Sequence, residues 1–424
     1  MTNQEPVAEA IHQFLAHLPA EKESRFIVAL SGGADSISLL HALSQRIERQ
    51  HITAVYIDHQ LQPQSSGWGK FNREICQKWG IPFEVVEVSV NTDSASLESE
   101  ARRARYKALK NFVVDDRTYL LTAHHKNDQV ETLLLQLFRG AGPKGLSAMP
   151  VQARFGQGFH YRPMLAVSRS DVLNYCSAHQ LNYIEDPSNK DTTHRRNFLR
   201  LEVLPLLKQE WPQLEDTLCR VSEIQADTQE MVEEVAQQDF ENCHTELKGI
   251  NLKQLNLLSE TRQNHLLRFW FSQLGLDMPS QKVLGQLKRQ MLQSADDSQP
   301  ELPYQRGVFR RHAGFLVWGR EEQLDADFSP LPWDGKDDLL INNGVVLTSS
   351  WLRERHPELV GKSLRVSMRK GGERFRKLNA KHTTSLKNYL QESGVPSWQR
   401  SQLILISHAD EVRAIYSGHL KDSI

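Results

Sequence analysis

The first part of the chain alternates short apolar runs with longer amphipathic stretches. Phe26 to Leu30 is an apolar run of strand length, and beyond Gly32 and Gly33 the residues Ile37, Leu40, Leu43 and Ile47 recur at helical spacing. Ile52 to His59 reads as a second buried strand, Gly67 to Trp79 as a helix, and F-E-V-V-E-V-S-V after Pro82 as a third strand. A helix over Leu97 to Phe112 and a strand over Thr118 to His125 follow. Val130, Leu133, Leu134, Leu137 and Phe138 then fit i, i+3, i+4, i+7 and i+8, with Gly140 as a C-terminal stop. An amphipathic helix carrying Val7, Ile11, Phe14, Leu15 and Leu18 precedes the first strand. Strand and helix alternate throughout, which predicts an α/β, doubly wound, Rossmann-like parallel sheet.

Gly140 to Pro163 is rich in glycine and is expected to be a loop, placed to act as a lid. Ser168 and Asp171 have capping-box spacing before a helix from Val172 to His179, Ile184 to Asp191 is a turn cluster, and T-H-R-R-N-F-L-R opens another helix. Beyond Pro212 the pattern is polar and helical to about Asn242, then helices and a basic hairpin over R-G-V-F-R-R-H-A-G-F-L-V-W-G, with Phe269, Trp270, Phe315 and Trp318 as core residues. The acidic piece from Glu321 to Asp334 reads as a linker, and the last stretch mixes strands with a helix near Ser385 to Glu392. The expected organisation is an α/β domain over 1–211, a mainly helical domain over 212–330 and a small α+β domain over 338–424.

Composition adds three points. No run of about eighteen apolar residues and no basic-then-apolar N-terminus is present, so no membrane partner and a cytoplasmic location are expected. Cys76, Cys176, Cys219 and Cys243 are isolated, which argues against a disulfide framework or a C-x-x-C metal site. The net charge of −1 hides a local excess: residues 361–400 hold ten Lys or Arg against Glu373 and Glu392, a footprint for a polyanion.

Candidate chemistry centres on the turn after the first strand. Two glycines let the backbone approach a ligand, a helix start favours anions, and two hydroxyls add donors, so Ser31, Gly32, Gly33, Ala34, Asp35 and Ser36 form a candidate phosphate-binding loop. Asp35 would repel an anion unless Mg²⁺ stood between them. The Walker spacing G-x-x-x-x-G-K-[ST] is absent. Asp58 and His59 fall at the carboxyl end of the second strand, where ligands of such sheets sit. Asp128 and Glu131 lie one turn apart at a helix start; such acids often only complement the helix dipole, and histidines such as His124 and His125 are often structural. At the mouth of a nucleotide-binding sheet, however, these groups can bind Mg²⁺ or accept a proton. Arg195, Arg196 and Arg200 suit phosphate or RNA backbone, or else a solvated face.

S-G-G-A-D-S is similar to the signature of the PP-loop ATP pyrophosphatases. Taken in order with the D-H after the second strand, E-x-A-R-R-A-R-Y, H-H-K-N-D-Q-V-E-T, L-F-R-G-A-G-P-K-G-L-S-A-M, D-P-S-N-x-D, R-R-N-F-L-R, R-K-G-G-E-R-F and L-K-N-Y-L-Q-E-S-G-V-P-S-W-Q-R, it resembles the bacterial tRNA(Ile)-lysidine synthases over nearly the whole chain. The resemblance implies an AMP-forming ligase that uses ATP to adenylate the C2 oxygen of cytidine 34 in the CAU anticodon of a minor isoleucine tRNA. Free L-lysine is then joined through its ε-amine, and decoding changes from AUG to AUA. It further implies that Ser31 to Ser36 hold ATP, that Asp35 and Asp128 hold Mg²⁺, and that Glu131 and His124 belong to the same centre. Arg196 would stabilise phosphate charge or orient the cytidine, and Arg195, Arg200, Arg369, Lys370, Arg374, Arg376, Lys377 and Lys387 would contact tRNA. Asn127 and Gln62 depart from the family pattern, where many members have Asp and Arg. The other readings are a different PP-loop tRNA-modifying enzyme, such as a thiolase, and a noncatalytic ATP-sensing RNA-binding protein.

Overall fold

The computed structural model describes residues 5–18, 24–60, 65–89, 97–245, 249–294, 298, 300–320, 329–341, 345–375, 384–393, 395, 397–400, 403–409 and 411–416. The chain forms two compact units, residues 1–234 and 235–424.

In the first unit, β1 (Arg25–Ala29), β2 (Ile52–Asp58), β3 (Phe83–Glu87) and β4 (Thr118–Leu121) alternate with α2 (Ala34–Ser44), α3 (Ser65–Trp79) and α4 (Leu97–Lys110), after α1 (Pro6–Ala16). The sheet runs β3-β2-β1-β4, and β1 pairs in parallel with both β2 and β4. Period-two alternation splits β1 between two cores. Phe26 and Val28 pack with Val7, Ile11, Ile37, Leu40 and Leu43 from α1 and α2, whereas Ile27 packs with Leu109 of α4 and Leu120 of β4. Helices therefore cover both faces. The strand order turns around between β1 and β4, and the loops leaving their carboxyl ends open there. α5 (Lys126–Leu137) leaves β4, and its apolar stripe of Val130, Leu133 and Leu134 is buried.

In the second unit, helices Leu252–Leu257, Glu260–Gln273 and Gln281–Leu292 accompany a five-stranded sheet. That sheet includes the hairpin Gly307–His312 with Phe315–Arg320. Trp270, Phe271 and Phe309 are core residues there, Trp318 packs on that core, and the Phe269 ring meets Phe240 at 5.4 Å in a tilted arrangement. A six-stranded sheet follows, and its first strand, Leu331–Trp333, lies within the stretch expected to be a linker. Residues 321–328 of that stretch lie outside the described residues. The helix expected near Ser385 spans Leu386–Glu392.

One expectation is corrected. Gly140 to Pro163 is not a loop or a lid: α6 (Pro143–Leu146) is followed by β5 (Gln152–Phe155) and β6 (Gly158–Tyr161), and β6 joins the main sheet parallel to β4. Gly158, which looks like loop punctuation, serves packing instead. A Cβ on Gly158 would sit 2.2 Å from the Thr118 carbonyl oxygen and 2.5 Å from that of Asp115, both main-chain atoms with nowhere to move. Gly158→Ala should therefore destabilise the protein by about 1–3 kcal/mol, read as a lowered midpoint in urea unfolding.

Candidate active site

The Ser31–Ser36 loop holds its own shape. The Ser36 hydroxyl accepts from the backbone N–H groups of Ser31 and Gly32, both at 3.2 Å, and donates to the Gly33 carbonyl at 3.1 Å. Ser36 is buried, so its hydroxyl shapes the loop, while Ser31, Gly33, Ala34 and Asp35 line a cleft of about 710 Å³. Gly32 sits at φ +88, in the region that favours glycine, and a Cβ there would lie 2.7 Å from Ile184 Cδ1. Its carbonyl accepts from Ile184 N–H at 2.8 Å, which brings the turn cluster after Tyr183 against the loop as one cleft wall. A cleft of this size suits a nucleotide.

Asp35 stands in the first turn of α2 and Asp128 in the first turn of α5, one on each side of the β1/β4 switch point. Between them lies His125: its Nε2 is 3.6 Å from Asp35 Oδ1 and 3.6 Å from Asp128 Oδ2. Among the described residues, no cluster of three or more His, Cys, Asp or Glu cages an ion. Two carboxylates facing a phosphate-sized opening fit Mg²⁺, which takes one or two protein carboxylates and completes its shell with phosphate oxygens and water.

Behind Asp128 the charges are locked. Glu131 is fully buried and accepts from Arg196 Nε at 2.6 Å and from Arg200 through Nε at 2.6 Å and Nη2 at 2.9 Å. The same guanidiniums reach Asp128 Oδ1 at 3.3 and 3.4 Å. Burial opposes ionisation of Asp128, but His125, Arg196 and the His125 backbone N–H hold its carboxyl below the usual range. Both arginines come from α8 (Arg195–Phe198) and the π-helical turn Leu199–Val203 that follows it. Arg200, expected on tRNA, thus lines the cleft, and Arg195 is exposed.

His124 faces away from the cleft that His125 lines. It bonds through Nδ1 to Thr122 Oγ1 at 2.8 Å, Thr122 bonds His160 Nε2 at 2.8 Å, and Arg162 Nη2 approaches His160 Nδ1 at 3.1 Å. Burial, with opposition from Arg162, Arg102 and Arg105, pushes both imidazoles down to about 3. His59, at the end of β2, is held below the usual imidazole range by burial and Arg105.

The sequence reading names His125 only together with His124, and it does not single out Arg169. His125 was not separated from its neighbour by spacing, because the direction of each side chain depends on where β4 ends. Arg169 opens α7 (Arg169–Ala178), where a cation runs against the helix dipole, and that mismatch is a signal. Its guanidinium pairs with Asp35, and its N–H donates to Asn127 Oδ1 at 3.0 Å. Asn127 also donates to Glu215, which an aspartate could not do, so this departure has a structural use. Gln62, Arg376 and Lys377 lie outside the described residues. In the second unit, Lys370, Arg374 and Lys387 are exposed, whereas Arg369 is largely buried beside Glu373.

A doubly wound sheet with a self-stitched S-G-G-A-D-S turn and acids at its switch point defines an ATP-using PP-loop enzyme. Family models agree: a PP-loop domain matches residues 3–207, a TilS substrate binding domain 250–317 and a TilS substrate C-terminal domain 364–418. The tRNA(Ile)-lysidine synthase of Serratia proteamaculans is 35% identical over 426 residues, spanning 98% of this chain and 94% of that one. Those of Coxiella burnetii and Pseudomonas aeruginosa are 34% and 35% identical, covering 96% and 97% of this chain and 91% and 93% of theirs. The chain belongs to the tRNA(Ile)-lysidine synthase family. Among the described residues, no helix is long and apolar enough to cross a membrane.

Two outcomes follow from this geometry. Glu131→Ala leaves two guanidiniums around a buried gap and should cost about 3 kcal/mol or more of stability, with a smaller loss for Glu131→Gln, both read by urea unfolding. The unfolded chain binds protons below about pH 6.5 that native His124 and His160 refuse until near 3, so stability is full above that window and falls as pH drops through it. The thermal midpoint should accordingly fall between about pH 7.5 and about pH 5, and His160→Gln should flatten that slope.

Proposed function

We propose that this protein uses ATP to adenylate the C2 oxygen of cytidine 34 in the CAU anticodon of a minor isoleucine tRNA. It then joins free L-lysine to C2, forming lysidine. The carrying observation is the approach of Asp35 and Asp128 to the two sides of His125 Nε2 at the mouth of the phosphate-binding loop. The first unit would carry the chemistry over 1–211. Residues 212–330 and 338–424 would hold tRNA, the latter through Lys370, Arg374, Lys387 and their basic neighbours.

The base presents a poor electrophile and a poor leaving group, so its oxygen must be activated first. That oxygen attacks the α-phosphorus, a new O–P bond forms, and the bond to the β,γ-pyrophosphate breaks with its electron pair. Backbone N–H groups at the start of α2, with the helix dipole, take up phosphate charge. Mg²⁺, held by Asp35 and Asp128, would neutralise charge between phosphate oxygens. The lysine ε-amine then attacks C2, the C–O bond to AMP breaks, and the amine gives up a proton. Glu131 keeps Arg196 and Arg200 aimed at Asp128, which supports that carboxylate in its ionised form.

The purified protein should release AMP from ATP only when minor isoleucine tRNA and free lysine are both present, with lysine retained on the tRNA. Asp35→Ala should lower that rate about a hundredfold or more. Bound ATP with no AMP formed under those conditions would sink the ligase reading in favour of noncatalytic ATP sensing.

A further inference from the structure

We propose that Arg169 is a phosphate-contacting residue of this reaction, stored on Asp35 and transferred to the pyrophosphate part of ATP when Asp35 takes up its metal ion. The inference rests on the ATP and Mg²⁺ reading above.

Arg169 is the first residue of α7, where a cation opposes the helix dipole. The nearby acid on its own helix does not compensate it: Asp171 Oδ2 accepts from Ser168 N–H at 3.2 Å and from the Ser168 hydroxyl at 2.5 Å, closing the capping box. The guanidinium instead crosses to Asp35 at the start of α2. Its backbone N–H is held by Asn127 at the start of α5, so Arg169 links that helix, which bears Asp128, to Asp35 at the start of α2. Both partners line the cleft, and the Arg169 side chain remains 41% exposed, with room to turn.

Asp35 Oδ1 meets the Arg169 guanidinium on one side and His125 Nε2 at 3.6 Å on another. Mg²⁺ coordinated by this carboxylate at about 2 Å would stand beside the guanidinium on Oδ1, and the two cations repel each other at that range. Arrival of the metal with the triphosphate offers both groups a new partner: the carboxylate meets the cation, and the guanidinium meets phosphate oxygens that match its planar fork. No charge is left unpaired during the exchange. As the bond between the α-phosphorus and the bridging oxygen breaks, its electron pair leaves with pyrophosphate, and a guanidinium there stabilises the developing charge. Arg200, the cleft guanidinium beside Asp128, is already held by Glu131 through two bonds and is less free to make this contact.

The test uses the full chain. Binding of the non-cleavable α,β-methylene analogue of ATP is measured by calorimetry across a Mg²⁺ titration, and lysine-dependent AMP release on minor isoleucine tRNA is measured in parallel. Arg169→Ala should bind the analogue about tenfold more weakly at saturating Mg²⁺, yet reach half-saturation at a Mg²⁺ concentration lowered about threefold or more, because Asp35 no longer has to be released. The rate of AMP release should fall about tenfold to a hundredfold. Arg169→Lys should regain part of the affinity and little of the rate, and it carries the same test if Arg169→Ala melts early. Unchanged analogue affinity, or a Mg²⁺ requirement that stays level or rises, would overturn the proposal. Wild-type protein without lysine-dependent AMP release would instead refute the ligase reading, while the binding titration would still decide the role of Arg169.

Discussion

The site depends on one fully buried carboxylate. Glu131 is closed off from solvent, and Arg196 and Arg200 grip both of its oxygens, so the buried charge is paired. The pair of arginines is fixed in return, and their remaining N–H groups lie beside Asp128. The segment of α8 and the π-helical turn that carries these arginines is thereby pinned to α5, although the two lie far apart in sequence. Asp128 is positioned from both ends: its other oxygen accepts the His125 N–H at 3.1 Å and so caps its own helix. Without Glu131, neither the arginines nor the carboxylate between them would keep a defined place.

The remainder of the site follows from the sheet. β1 and β4 are neighbours, and the loops beyond their carboxyl ends deliver Asp35 and Asp128 to the same opening from opposite sides. The phosphate-binding loop needs no ligand to acquire its shape, since the Ser36 hydroxyl gathers two N–H groups and one carbonyl of its own turn. The Gly33 N–H donates to the Ser31 hydroxyl at 3.4 Å, which leaves the N–H groups at the start of α2 for an anion. Ile184, bonded to Gly32, ties the opposite wall to that turn, so the cleft is framed by short local contacts rather than by long side chains.

Much of this was legible because it is local. The apolar run at Phe26 to Leu30, the helical stripe of Val130, Leu133 and Leu134 and the Ser168 capping box each involve residues within a few positions, where periodicity and spacing carry the information, although Leu137 and Phe138, which continue that stripe in the sequence, are exposed at the helix end. The hairpin at Gln152–Tyr161 was not legible: its strands have only four residues each, and Gly158 is there for a close backbone approach that no turn rule encodes. The roster of charged residues was readable, but their pairing was not. Arg196 and Glu131 stand 65 positions apart, and Arg169 and Asp35 stand 134 apart. Neighbouring histidines separate only in three dimensions, where His125 enters the cleft and His124 joins Thr122 and His160.

The cleft also explains why an ATP-handling site can carry so many acids. Asp35 and Asp128 each face cationic groups within the protein, so neither is an unbalanced charge that would repel the triphosphate. On the proposal made for Arg169, these pairs would exchange partners when an anion and a metal ion arrive as a unit. The exchange favours a nucleotide with its metal over either component alone, since an isolated anion gains no partner for the carboxylate and an isolated cation leaves a guanidinium behind. On that proposal, selectivity for the metal complex would arise from side chains that are already paired, with the preorganised loop supplying the fixed dipoles against which the new pairs form.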